Sequence, residues 1–121
     1  MRILKGLDSF KYVLENKDIT LYNKDNQELF YDKDCDKLKI KLENNEEVSI
    51  ILNDNTLETK WYTEKKRKAA FMIYIDNKLK NIEESFVFNI SSEIKEMTSK
   101  VTEKYKVDDN INIKVKCVWF E

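Results

Sequence analysis

The chain has no histidine and no proline, one glycine, Gly6, and two cysteines, Cys35 and Cys117. Without histidine, Ser-His and Cys-His nucleophile pairs, imidazole proton shuttles and histidine metal sites are excluded. A single glycine rules out a P-loop and a G-x-G-x-x-G dinucleotide turn, both of which let a backbone approach phosphate through several glycines. Without proline, no X-Pro bond can act as a rigid turn or a slow switch. Neither cysteine belongs to a C-x-x-C pair, so both are expected to be reduced thiols. Cys117 alternates with Val115 and Trp119 and belongs to a core face, whereas Cys35 lies between Asp34 and Asp36, a poor setting for a reactive thiolate. Chemistry would have to come from carboxylates, lysine, tyrosine, serine, threonine or a thiol. No catalytic set, cofactor site or metal site is expected.

At 121 residues with a net charge of -1, the length fits one α+β domain spanning 1–121, large enough for a single core. The first residues have no apolar stretch of secretory length, and no later run could span a bilayer. A cytoplasmic location with no membrane contact is the expectation. Abundant Lys, Asn and Ile beside scarce Gly, Pro, Ala and Arg resemble the translation of an AT-rich genome, which points to a low-GC bacterium or one of its phages.

The longest unbroken apolar run, Ala69 to Ile75, is flanked by charged residues and suits one central strand covered on both faces. Over 7–16 the pattern is ambiguous: Phe10, Val13 and Leu14 at helical spacing favour a short N-terminal helix, while Phe10, Tyr12 and Leu14 also alternate as in a strand. From Asp18 onward, short β-rich runs separated by turn formers predict hairpins: 19–22 with 28–31, then Leu38, Ile40 and Leu42 returning as Val48, Ile50 and Leu52. Lysines fill the alternate positions 37, 39 and 41, so one face of that second hairpin is solvated. Asn53, Asp54 and Asn55 read as a turn, 57–63 as a strand (a helix over 57–68 being the weaker alternative, since Thr and aromatics dominate its first half), 76–84 as a polar connection and 85–90 as a strand. The main helix is expected over about 92–107, capped by Ser91 or Ser92, with Ile94, Met97, Val101 and Tyr105 on its apolar face and lysines in its last turn. A closing strand places Ile113, Val115, Cys117 and Trp119 on one face and Lys114, Lys116, Val118 and Phe120 on the other. Together these elements predict a mostly antiparallel, meandering sheet with the main helix packed on a face.

Asp32, Asp34 and Asp36 form D-x-D-x-D, with Glu43 twelfth from Asp32 as in a helix-loop-helix calcium site. The sixth position is Lys37 where such a loop needs glycine, and a strand follows where a helix should, so a solvated acidic loop is the better account. The neighbouring carboxylates Glu46 and Glu47, Glu83 and Glu84, and Asp108 and Asp109 fall at expected turns rather than facing one cleft.

Two surfaces remain as candidates for binding. Lys65, Lys66, Arg67 and Lys68 follow Trp61 and Tyr62, a combination that could hold phosphates and stack on an unpaired base. Charge is also uneven: residues 59–82 carry seven basic against two acidic side chains, and residues 15–58 carry twelve acidic against six basic. Whichever of Trp61, Tyr62 and Phe120 points away from the core would anchor a protein partner or a homodimer. The leading expectation is a small non-enzymatic protein that occupies a surface of another protein, as an inhibitor or an immunity or anti-defence factor does. A nucleic-acid-binding module using residues 65–68 is the alternative.

Overall fold

A computed structural model describes residues 1–120 as an α+β protein with antiparallel sheets and one main helix packed on a sheet. The chain divides into two compact units, Met1–Lys65 and Lys66–Glu121, each with its own sheet and core. The expected single meander is therefore two sheets. The reason lies in side-chain partners: Trp61 packs with Leu4, Phe10 and Leu29, whereas Ala69 and Phe71, a few residues on, pack with Val87 and Val101.

The first unit comprises β1 (Ile3–Lys5), α1 (Leu7–Glu15), β2 (Leu21–Tyr22), β3 (Glu28–Asp32), β4 (Lys37–Lys41), β5 (Glu47–Ser49), α2 (Asp54–Glu58) and β6 (Lys60–Tyr62). Its strands form an antiparallel sheet in the order β1-β6-β2-β3-β4-β5. Helix α1 buries Phe10 and Val13 against this sheet, one turn apart as the spacing predicts. Gly6 opens the helix at φ 60, a conformation that suits glycine, and its carbonyl accepts from both the N–H and the hydroxyl of the buried Ser9. Both expected hairpins form, but the return strand of the second is shorter than expected: β5 ends at Ser49, and Leu52, expected on its inner face, is exposed. Asn23 closes the first by accepting from the N–H groups of Asp25 and Gln27, and Asn45 at φ 69 turns the second.

Residues 53–58 correct the sequence expectation. Asn53 is not merely a turn residue; it caps α2 in a reciprocal box, its side chain accepting from Thr56 N–H (3.0 Å) while Thr56 Oγ1 accepts from Asn53 N–H (2.8 Å). The strand expected from Leu57 consequently starts only at Lys60. It is short because a helical turn uses the residues before it.

The second unit comprises β7 (Arg67–Ile75), β8 (Lys78–Val87), α3 (Ser91–Tyr105) and β9 (Ile113–Trp119). The sheet order is β8-β7-β9, both pairings antiparallel, so β8 and β9 run parallel on either side of the apolar strand. Asp76 and Asn77, both at positive φ, form a two-residue hairpin that starts β8 at Lys78. The polar connection expected over 76–84 is thus mostly strand. Helix α3 starts at Ser91 with Ile90 as its cap residue, whose carbonyl accepts from Glu93 and Ile94 N–H; no serine hydroxyl caps it. It lays Met97, Val101 and Tyr105 over Phe71, Ile73, Val115 and Cys117. Burial pushes the Cys117 thiol pKa up, as expected of a core thiol.

Candidate interaction surface

Alternation along β7 divides its side chains between two environments. Ala69, Phe71 and Ile73 point under α3 and are fully buried. Lys68, Ala70, Met72 and Tyr74 point the other way and are exposed or half-buried. The expectation that this strand is covered on both faces is corrected here: the helix covers one face, and the apolar residues of the other are left partly open.

The register shows what joins them on the open face. Phe86 and Ile82 on β8 lie opposite Lys68 and Met72, and Leu79 lies opposite Tyr74. Val118 on β9 lies opposite Ala70, and Phe120 extends the ladder by donating its N–H to the Lys68 carbonyl (3.2 Å). Phe86 is 62% exposed, Leu79 49%, Ile82 48%, Phe120 42% and Val118 40%. Scattered exposed apolar residues need no explanation, but five that neighbour one another on one sheet face form a patch of the kind that marks contact sites.

Charge on this face is sparse and one-sided. Lys68 Nζ lies 2.9 Å from Glu84 and 5.2 Å from the Phe120 ring centre, so the one carboxylate on this face among the described residues is ion-paired. Lys114 and Lys116 stand opposite Tyr74 and Met72, with no ion pair or hydrogen bond among the described residues. What remains is an apolar field with two unpaired ammonium groups along its β9 side.

The residues expected to bind a partner fall in different places. Trp61 and Tyr62 are 2% and 0% exposed, so neither can stack on a base or meet a partner in this conformation. Phe120 and Lys68 lie on the open face. The basic run follows β6 and enters β7, strands that belong to different sheets. Lys65 lies over the Tyr22 ring and Lys66 over Phe88, while Arg67 and Lys68 alternate across the sheet, Arg67 over Trp119 and Lys68 over Phe120. Within the second unit, Lys66, Arg67 and Lys68 thus lie against three different rings.

Leu79, Ile82, Phe86 and Val118 are the surface residues that sequence patterning undervalues. The register shifts between Ile73 and Tyr74, where Asn81 and Leu79 are the successive partners and Lys80 is left over. That bulge changes the parity of the strand, so Leu79 and Ile82 share a face at a spacing of three, which an unbroken strand pattern does not predict.

Other candidate sites are put to structural use. Asp32 Oδ1 accepts from Asp34 and Cys35 N–H, and its second oxygen lies 2.7 Å from Lys39 Nζ. The Lys39 hydrogen bond, helped by the Cys35 N–H, holds its carboxyl down at about 2. The D-x-D-x-D segment is thus a hairpin turn tied by its first aspartate. Among the described residues no group of three or more His, Cys, Asp or Glu converges as metal ligands would. An open groove of about 270 Å³ runs between α3 and β8, where the Lys104 ammonium is held by Glu83, which raises its pKa. Its two carboxylates are ion-paired, Glu83 with Lys104 and Glu84 with Lys68.

No protein-family model, curated protein or solved structure matches the chain. Among the described residues no helix is long and apolar enough to cross a membrane.

Proposed function

We propose that the chain is a small, cytoplasmic, non-enzymatic protein that acts by binding another protein, in the manner of an inhibitor or an immunity or anti-defence factor of a low-GC bacterium or its phage. The observation that carries this is the open face of the β8-β7-β9 sheet, where Leu79, Ile82, Phe86, Val118 and Phe120 adjoin while helix α3 occupies only the opposite side. Aromatic and aliphatic side chains clustered at the centre of a patch, with charge at its border, are what contact surfaces use for affinity. Lys114 and Lys116, without partners among the described residues, suit a protein surface that is apolar with acidic residues at its edge.

Capture from a lysate of a low-GC host, run with nuclease, tests the reading when wild type is compared with a double variant, Ile82→Ser with Phe86→Ser. Both side chains are about half exposed or more, so the variant keeps its fold. A partner protein held by wild type and lost by the variant is the expected result. Partners retained by the variant, partners lost on nuclease treatment, or turnover of a metabolite by the purified chain would each overturn it.

A further inference from the structure

The β8-β7-β9 sheet has two edges, and they differ. Strand β8 carries the bulge at Lys80, a device that spoils pairing with a further strand. Strand β9 has none: its register with β7 runs without interruption from Ile113 to Trp119, and no strand pairs with its outer side. It also has no proline.

The backbone direction of this edge follows from its two ends. Asn112 C=O accepts from Asp76 N–H at 2.9 Å, and Phe120 N–H donates to Lys68 C=O at 3.2 Å. In an antiparallel ladder the N–H and C=O of one residue point the same way, and the direction alternates along the strand. The even-numbered residues of β9 therefore face β7, and Ile113, Val115, Cys117 and Trp119 present their N–H and C=O groups outward. These four residues make a template for one added strand of about seven residues.

Side-chain charge selects what can add. Lys114 and Lys116 project on the open face beside this edge without partners among the described residues. A second copy of β9 paired antiparallel would place four lysines on one face, and like charges in adjacent strands repel. A segment with acidic residues on that face would instead form cross-strand ion pairs.

We infer that β9 accepts an extended acidic segment of the partner protein as a fourth strand, with Lys114 and Lys116 pairing its carboxylates. This rests on the protein-binding function proposed above and names the form of the partner. The partner residues between those carboxylates point to the α3 side of the sheet, next to Val115 and Cys117, where apolar side chains suit them.

The probe is a synthetic peptide of seven alternating glutamates and valines, blocked at both ends, compared with its lysine-valine and serine-valine counterparts. The readout is amide hydrogen exchange, residue by residue, in the full chain. The glutamate peptide should slow exchange of the 113, 115, 117 and 119 amides at least tenfold at saturation and leave the already bonded 114, 116 and 118 amides unchanged. A Lys114→Glu, Lys116→Glu double variant should reverse the preference towards the lysine peptide. Val115→Pro, which removes an outward N–H and no bond to β7, should weaken the glutamate peptide at least tenfold. If that variant unfolds, the charge reversal decides alone. Equal protection by all three peptides, no protection by any, or concentration-dependent protection of these amides without peptide would overturn the inference. Capture that still depends on Ile82 and Phe86 while no peptide protects β9 would remove strand addition and leave the proposed function standing.

Discussion

Two phenylalanines on paired strands separate the faces of the second sheet. Phe71 is fully buried beneath α3, and Phe86, on the open side, is 62% exposed. A phenylalanine covers about 200 Å² when buried, and at about 25 cal/mol per Å² that is about 5 kcal/mol as an upper bound, in line with the 3–5 kcal/mol typical of Phe→Ala in a core. Phe86 is less than two-fifths covered, which caps the loss in its alanine variant at about 2 kcal/mol, and its open side brings the expected loss down to about 0.5 kcal/mol, as for a surface substitution. Phe71→Ala would remove much of the stability of a small unit, so Phe71→Leu serves as a milder companion costing about 1 kcal/mol. Urea unfolding followed by emission in a Trp61→Phe background, where Trp119 is the only fluorophore of its kind, reads the second unit directly. The order should be Phe71→Ala far below Phe71→Leu, with Phe86→Ala close to the parent. If Phe86→Ala cost as much as Phe71→Ala, the face described as open would be a second core.

Other perturbations probe the local physics. Gly6→Ala meets two obstacles, a φ of 60 and a Cβ placed 2.7 Å from the Leu57 carbonyl oxygen, so a loss of about 1–3 kcal/mol from the backbone conformation, plus the contact, should be seen in thermal unfolding. Asn53→Ala should cost about 1 kcal/mol by removing the α2 cap, and Asn53→Asp should recover most of it. Asp76→Val forces a β-branched residue to positive φ and should cost about 1–2 kcal/mol, read as a lower urea midpoint. Asp32 titrates near 2 in the folded chain against an ordinary value of 3.8; its contribution is therefore full above about pH 4 and fades as pH falls towards 2. Carbon-detected titration of its carboxyl checks this, and Lys39→Gln should move the midpoint back up.

Much of the architecture is legible in residue order. The hairpin from Leu38 to Ile50, the short N-terminal helix, the main helix and the two faces of β9 follow from turn residues and from periods of 2 and 3.6, because each is amphipathic and one environment lies on each side. Three features resist such reading. The ten residues of β8 alternate around a bulge, so their period is broken where a pattern would be sought. Strand β7 is apolar on both sides although only one is packed under the helix, and composition cannot distinguish an apolar face that meets a core from one that meets solvent. Trp61 and Tyr62 precede a basic run and look like surface aromatics, yet pairing of Leu4 with Trp61 and of Tyr22 with Tyr62 draws them into the sheet interior. In each case the deciding partner is distant in the chain. On the open face, Val118 and Phe120 are legible because they follow Lys114 and Lys116 along the outer positions of β9, and only cross-strand register adds Leu79, Ile82 and Phe86.

Oxidative footprinting of side chains offers the most direct test that the open sheet face is where the molecule meets its partner. In the isolated chain Phe86 and Phe120 should be labelled readily and Phe71 should not, and after capture of a partner from host lysate Phe86 and Phe120 should be protected while exposed residues elsewhere, such as Leu14, keep their labelling. Unchanged labelling of Phe86 and Phe120 in the captured complex would contradict the account.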